Sequence, residues 1–176
     1  EDVSLLGAGG VPLLDHVSFD VPRGEILAVA GVQGNGQTEL AETILGLRIP
    51  NSGTITLAGA DITRAKPRKS LDAGLGFIPE DRSTDGIIAS FSIADNLVLD
   101  QFRSSAFASF GSLKRGAIAR NARDKEAEYD IRLTSIDDPV SSLSGGNQQK
   151  VVVAREMSRD LTVLVANQPT RGVDVG

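Results

Sequence analysis

Residues 31–38 read GVQGNGQT, which sets Gly31, Gly36 and Thr38 at the spacing of the phosphate-binding pattern G-x-x-x-x-G-K-[ST]. Where that pattern has lysine, this chain has Gln37. A glycine loop that opens a helix holds phosphate through backbone N–H groups and the helix dipole, and neither depends on a lysine. The lysine adds a cation at the β and γ phosphates, and the Ser or Thr hydroxyl ligates magnesium. Thr38 keeps the second role, but a neutral Gln37 cannot take the first. The candidate nucleotide-binding residues are therefore Gly31, Gln33, Gly34, Asn35, Gly36, Gln37, Thr38 and Glu39, with Thr38 as a weak magnesium ligand. On this stretch alone, a tight strand-to-helix turn explains the glycines equally well.

The flanks give the context such a loop needs. Upstream, HVSFDVPRGEILAVAG alternates apolar and polar residues through Val17, Phe19 and Val21, turns at Pro22–Gly24 and then runs apolar. This predicts a half-exposed strand followed by a buried one. Downstream, TELAETILGL places Leu40, Ile44 and Leu47 at helical spacing, with Gly46 and Pro50 as stop signals. NSGTITLAGADI predicts a strand with a tight return near Gly59, part of a small antiparallel layer. GLGFIPEDR is a short apolar strand ending at Pro79, and the pattern from Ile93 to about Leu133 is mostly helical. Further on, SLSGGNQQKVVVAREMSRD predicts a helix with a polar, glycine-rich start and a stripe of Val151, Ala154 and Met157. LTVLVANQPT reads as a buried strand running into a loop.

The composition narrows the function classes. A chain of 176 residues with 40% hydrophobic content and glycine and proline spread throughout has the make-up of one soluble α/β domain. A net charge of −5 gives no broad electrostatic footprint for nucleic acid or an anionic membrane. Without cysteine there is neither a disulfide nor a thiolate metal site. The longest apolar runs, such as ILAVA at 26–30 and VVVA at 151–154, are far too short to cross a bilayer, so membrane association would go through a partner. No charged and apolar leader pattern opens the chain, which fits a cytoplasmic location. The only histidine, His16, reads as a surface or partly buried residue, and RAKPRK at 64–69 as a solvated loop and helix start.

The second constellation is LSGGNQQK at 143–150, lying between the glycine loop and the terminal segment VLVANQPTRGVD. With these motifs in this order, the whole chain resembles the nucleotide-binding domain of an ATP-binding cassette (ABC) transporter. PEDRSTDGIIASFSIADNLVLDQ and LSGGNQQKVVVAREMSRD resemble more closely the C-terminal cassette of fused double-cassette importers for simple sugars and nucleosides, and VANQPTRGVDVG looks more like the nucleoside type. The resemblance implies a P-loop NTPase (RecA-like) α/β core with a small antiparallel β layer and an α-helical subdomain. The core would be about 1–82 and 159–176, and the helical subdomain, with the signature helix, about 83–158 of a single, C-terminally truncated domain.

The same resemblance implies roles for particular residues. The Walker A position is Gly31–Thr38, the Walker B strand Val163–Gln168, and the D-loop Gly172–Asp174, with Asp174 its acidic residue. Glu80 stands at the Q-loop position, where the family usually has glutamine. Leu143, Ser144, Gly145, Gly146, Asn147 and Gln148 form the signature, which in the family faces the ATP of a partner cassette. Asn167 and Gln168 replace the family's Asp-Glu pair, so both the acid that holds the magnesium shell and the acid that orients the attacking water are absent. Phosphoryl transfer is mostly positioning and charge stabilisation, with single charged parts worth about 10³ or more in rate. The site with Gln37, Asn167 and Gln168 is expected to hydrolyse ATP little. Nucleotide binding is expected to survive, with weak dependence on Mg2+. The implied partners are a second cassette, transmembrane permease subunits and, indirectly, a solute-binding protein, at the cytoplasmic face of the membrane and without nucleic acid. A self-sufficient ATPase, or a soluble cassette acting on nucleic acid or ribosomes, are the alternatives; the acidic balance and the importer-like PEDR segment weigh against the second.

Overall fold

The computed structural model of the chain describes residues 1–171. They fall into two compact units, Glu1–Gly76 with Leu161–Val165, and Phe77–Asp160 with the chain from Ala166 onward.

In the first unit, β1 (Val3–Leu6) pairs antiparallel with β2 (Pro12–Val17), setting Val3 opposite Val17 and Leu5 opposite Leu14. Alternate side chains of a strand face opposite sides, so Val3, Leu5 and Leu14 turn inward together, with Leu13, Val17, Leu40 and Ile55 packed around them. Helix α1 (Gln37–Leu45) follows the glycine loop, as the sequence predicts. It ends at Gly46 in the left-handed region (φ 78°), whose N–H reaches Thr43 O while Leu47 N–H reaches Glu42 O. A Cβ on Gly46 would collide with Ala65 O, so both the backbone angle and the space require glycine. The buried positions of α1 are Ala41, Thr43 and Leu45 rather than the predicted stripe of Leu40, Ile44 and Leu47. Leu47 lies beyond the cap, off the helical face, and is 61% exposed. The hairpin of β3 (Thr56–Leu57) and β4 (Ala60–Asp61) turns through Ala58 and Gly59, both at positive φ, which is the expected return. Helix α2 (Pro67–Asp72) opens with proline in its first turn, and Arg64, Lys66, Arg68 and Lys69 are exposed as expected.

The predicted buried strand before the glycine loop does not form. The chain leaves β2 at Val17 and turns with Glu25 N–H donating to Pro22 O at 3.1 Å. Residues 25–30 lie in no strand, and Ile26 is 97% and Val32 76% exposed. An apolar run becomes a buried strand only where neighbouring strands take its N–H and C=O groups and layers cover its faces. Among the described residues, no strand flanks it.

β5 (Leu75–Ile78) and β8 (Val163–Ala166) form a two-stranded sheet. Thr162 N–H donates to Gly74 O in the first unit, and Asn167 N–H donates to Ile78 O in the second. β8 was expected to be buried, but its residues are half-buried or exposed, because β5 is its only strand neighbour among the described residues.

The second unit continues with a π-helical turn (Arg82–Gly86), α3 (Ile93–Asn96), the hairpin of β6 (Ala108–Ser109) and β7 (Ser112–Leu113), α4 (Arg115–Glu128) and α5 (Gly145–Met157). The hairpin interrupts the predicted helical stretch, since Phe110 and Gly111 both take positive φ and give the chain a tight return. On α5 the predicted stripe is inward at Val151 and Ala154 but exposed at Met157, the last residue of the helix. Ile93, Leu97, Ile118, Val140, Val151 and Val152 are buried. Among them lies Asn96, whose Oδ1 accepts from Ile88 N–H (2.9 Å) and whose Nδ2 donates to Ile88 O, Phe91 O and Ser92 O. One amide thereby adds to the backbone bonds that already tie this loop to residues 138–141, where Val140 N–H donates to Phe91 O and Ser92 bridges Pro139.

Asn96→Ala is expected to cost about 1–3 kcal/mol, because it removes four hydrogen bonds and leaves Ile88 N–H without its acceptor, while the three carbonyls keep their backbone donors; the urea midpoint would show it. His16 is exposed, with Nδ1 at 2.7 Å from Asp2 Oδ1 and Nε2 at 3.8 Å from Asp15 Oδ1. The hydrogen bond and charge of Asp2, then the charge of Asp15, raise its pKa above the ordinary 6.5. The contribution of the pair is full below that value and is lost as pH rises through the higher folded value. In an NMR titration the single imidazole is expected to titrate above its ordinary value, and Asp2→Asn to bring the midpoint down.

Candidate functional site

In the first unit the glycine loop takes left-handed backbone at Gly34 (φ 90°) and Gly36 (φ 93°). A Cβ on Gly36 would sit 2.8 Å from Leu13 O, so the loop closes against β2 only with glycine there. Gln37, at the lysine position, turns back into the loop. Its Oε1 accepts from Asn35 N–H (3.1 Å) and its Nε2 donates to Val32 O (3.2 Å). A Cβ on Gly31 would collide with Gln37 Nε2, so Gly31 makes room for that amide. A lysine has donors only: it can reproduce the bond to Val32 O but not the one from Asn35 N–H. The glutamine thus consumes a loop N–H of the kind that would otherwise face a phosphate. Gln33, Gly34, Asn35 and Thr38 are exposed. The N-terminus of α1 has no side-chain cap, which leaves its first N–H groups to solvent or an anion. Glu39 in the first turn favours the helix dipole but repels a bound phosphate.

Glu80, Asn167, Gln168 and the signature residues belong to the second unit. Glu80 Oε1 pairs with Arg171 Nη1 at 3.0 Å. The next residue, Asp81, caps the π-helical turn by accepting from Ser83 N–H (2.9 Å), and that bond holds its carboxyl below the usual range. Asn167 and Gln168 lie past the end of β8, shortening the expected Val163–Gln168 strand. Gln168 is exposed, with φ at 49°. Asp174 and the rest of the D-loop lie outside the described residues.

Among the described residues, no group of three or more His, Cys, Asp or Glu side chains is placed to hold a metal. Thr38 in the first unit offers a hydroxyl oxygen, and Asn167 and Gln168 in the second offer amide oxygens; each is neutral, whereas a hard divalent cation favours carboxylates.

The signature helix is built from its own polar residues. Ser144 is the N-cap of α5: its Oγ accepts from Asn147 N–H (3.5 Å) and from Asn147 Nδ2 (3.0 Å). Asn147 Oδ1 accepts from Arg132 N–H at 2.9 Å. Gln148 Nε2 donates to Leu143 O (3.0 Å) and Val140 O (3.4 Å). Buried Gln149 donates to Pro169 O at 2.9 Å, and Lys150 reaches both the carbonyl and the carboxylate of Asp130, whose pKa it lowers. Four consecutive residues therefore tie the helix to three segments, at Asp130–Arg132, Val140–Leu143 and Pro169, and none of these bonds takes up the first N–H groups of the helix or the proton of Ser144. Sequence reasoning missed Arg82 and Arg171. Arg82 stood in the quoted PEDR segment, but nothing in the spacing indicated that Arg82 Nε would donate to Gln148 Oε1 (3.4 Å) or Nη1 to Arg171 O (3.2 Å).

Comparison with known proteins places these features in a family. Residues 14–171 match the family model described as ABC transporter. The chain is 40% identical over its full length to a guanosine import ATP-binding protein of Bacillus subtilis, covering 34% of that protein. It is 44% identical to a glucose import ATP-binding protein of Haloferax volcanii, with 99% of this chain and 32% of the relative covered. The chain thus spans about a third of the length of these curated relatives. Among solved structures, a dimeric ATP-binding cassette in a post-hydrolysis state with ADP and Pi superposes with a TM-score of 0.81 at 19% identity, covering 99% of this chain and 75% of that one. The fold is that of a P-loop NTPase cassette, and the chain belongs to the ABC transporter family.

Proposed function

We propose that the chain is the C-terminal cassette of a fused double-cassette importer ATPase for nucleosides or simple sugars. Its own site binds nucleotide with little hydrolysis, while its signature completes the ATP site of the partner cassette. The observation that carries this reading is the contrast between the two motifs. The glycine loop is closed by the amide of Gln37, whereas the signature helix is fully anchored with Ser144, Gly145 and Gly146 at its free end. The Ser144 hydroxyl accepts from Asn147 and still has a proton to donate to a γ-phosphate. The first N–H groups and dipole of α5 favour the same anion.

At the chain's own site, ATP would displace Gln37 from Asn35 N–H and meet no cation at position 37. Asn167 and Gln168 would supply neither a magnesium carboxylate nor a carboxylate to orient water. Relatives named for guanosine and for glucose import match at similar identity, which supports a small sugar-containing solute. The segments 1–82 and 159–176 would act as the core and 83–158 as the helical subdomain. No helix among the described residues is long and apolar enough to cross a membrane, so attachment to the cytoplasmic face would go through permease subunits, which receive solute from a binding protein. Asp174 would serve the dimer contact with the second cassette.

Calorimetry with ATP, with and without magnesium, tests the silent site. Binding is expected to survive chelation, with phosphate release at background. Gln37→Ala, which frees Asn35 N–H, is expected to tighten binding by roughly fivefold, the worth of about one net hydrogen bond. Magnesium-dependent turnover at this site overturns the silent-site reading. The signature role is tested by Ser144→Asp in the full-length ATPase assembled with its permease. Aspartate caps a helix as well as serine but opposes a phosphate, so stability should hold while turnover falls about 100-fold or more. Turnover equal to wild type would remove the signature from the reaction.

A further inference from the structure

We infer that Arg82 is the positioning residue for the phosphate-facing end of the signature helix, acting through the side-chain amide of Gln148. The inference rests on the proposed role of the signature and adds a residue that the signature motif does not contain.

An amide side chain offers an oxygen on one side and an NH2 group on the other, and its neighbours decide which way it faces. Gln148 Nε2 must point at Leu143 O and Val140 O for the loop before Ser144 to be held. The reversed amide would set oxygen against these two carbonyls. Arg82 Nε donates to Gln148 Oε1 at 3.4 Å and so favours the orientation that holds Leu143. Leu143 immediately precedes Ser144, the cap residue whose proton and neighbouring N–H groups face outward.

The guanidinium is itself fixed from several directions. Nη1 donates to Arg171 O at 3.2 Å, and Arg171 pairs with Glu80 at 3.0 Å. Its backbone begins the turn Arg82–Gly86, which Asp81 caps at one end. At the other end, Gly86 O accepts from Arg155 Nη1 at 2.8 Å, so the signature helix grips the turn that carries Arg82. A Cβ on Gly86 would lie 3.1–3.2 Å from Arg82 Cβ, Pro79 Cγ and Val152 Cγ2, which shows how closely the turn packs on α5. Two arginines therefore cross between turn and helix in opposite senses, Arg82 toward Gln148 and Arg155 back toward Gly86. A Cβ on Gly145 would collide with Arg82 Nη2, placing the guanidinium beside the first residue of the helix. A cation at a helix N-terminus is opposed by the dipole. It is held there by directed hydrogen bonds rather than by general attraction.

Geometry and charge can be separated by substitution. Arg82→Lys keeps the cation but cannot donate to Gln148 Oε1 and Arg171 O from one planar fork. In the full-length ATPase assembled with its permease, Arg82→Lys and Arg82→Gln are both expected to lower kcat by roughly 10- to 100-fold. KM for ATP should change less than about twofold, because the partner's own loop holds the nucleotide. Gln148→Met, which leaves Arg82 intact, should give a similar loss, and the Arg82→Gln/Gln148→Met pair should lose no more than either single change. Full turnover in Arg82→Lys, or losses that multiply in the pair, overturns the inference. Measured alongside, Ser144→Asp separates the two levels. Loss there with an unaffected Arg82→Lys sinks the role of Arg82 alone, while full turnover in Ser144→Asp sinks the signature reading and this inference together.

Discussion

The carboxylate of Glu156, buried between two arginines, is the contact from which the second unit takes its geometry. Its Oε1 meets Arg155 Nε at 3.0 Å, and its Oε2 meets Arg159 Nη1 at 3.1 Å and accepts from Phe77 N–H at 3.2 Å. Arg159 continues to Asp100 at 3.0 Å, and Arg155 to Gly86 O. Burial raises the pKa of Asp100, the charge of Glu156 adds to that shift, and Arg159 opposes it. Burying such ions costs several kcal/mol each, and removing one partner typically costs about 3–5 kcal/mol. A well-packed apolar cluster tolerates small slides of one element over another, but a carboxylate with three directed donors does not. The end of α5 is thereby set relative to Phe77, the π-helical turn and the segment at Asp100. The signature at the other end of the same rigid helix inherits that placement.

Much of this arrangement was legible in the sequence where local chemistry decides the backbone. Gly36 and Gly46 mark the ends of α1 because both sit in left-handed backbone with no room for a Cβ. Ala58-Gly59 marks the β3–β4 return, and Ser144 followed by two glycines marks the start of α5. Elements that depend on distant partners were not legible. The run 25–30 has the composition of a buried strand, but a strand exists only through its neighbours, and among the described residues it has none. The β6–β7 hairpin was hidden because Phe110, an uncommon residue at positive φ, supplies half of its turn.

For the candidate site, the sequence showed which charges were missing but not what took their place. That Gln37 is neutral was evident, whereas its fold-back onto Val32 O and Asn35 N–H depends on the space left by Gly31. Glu80 was identified by its position, but its pairing with Arg171 joins residues 91 apart in the chain. The polar run Asn147–Lys150 was recognised as part of the signature, yet its side chains are spent on three separate segments, at Asp130–Arg132, Leu143 and Pro169. No periodicity or spacing rule encodes those destinations.

The substitutions at 37, 167 and 168 share one chemical direction: each puts an amide where the family has a charge. A lysine or carboxylate in a nucleotide site needs a counter-charge, which the ligand and its metal supply. An amide both donates and accepts, so it can satisfy itself against nearby backbone, as Gln37 does. On the proposed reading, a nucleotide site made of amides would lose dependence on the ligand for its resting order, and with it the electrostatic drive for phosphoryl transfer. In the signature the amides are used in the opposite sense. Asn147, Gln148 and Gln149 turn their bonding inward to hold the helix, which leaves the Ser144 proton and the glycine N–H groups facing out. The same side-chain chemistry thus closes one motif on itself and holds the other open. On the proposed reading, that asymmetry is why a single cassette would serve the partner's reaction and not its own.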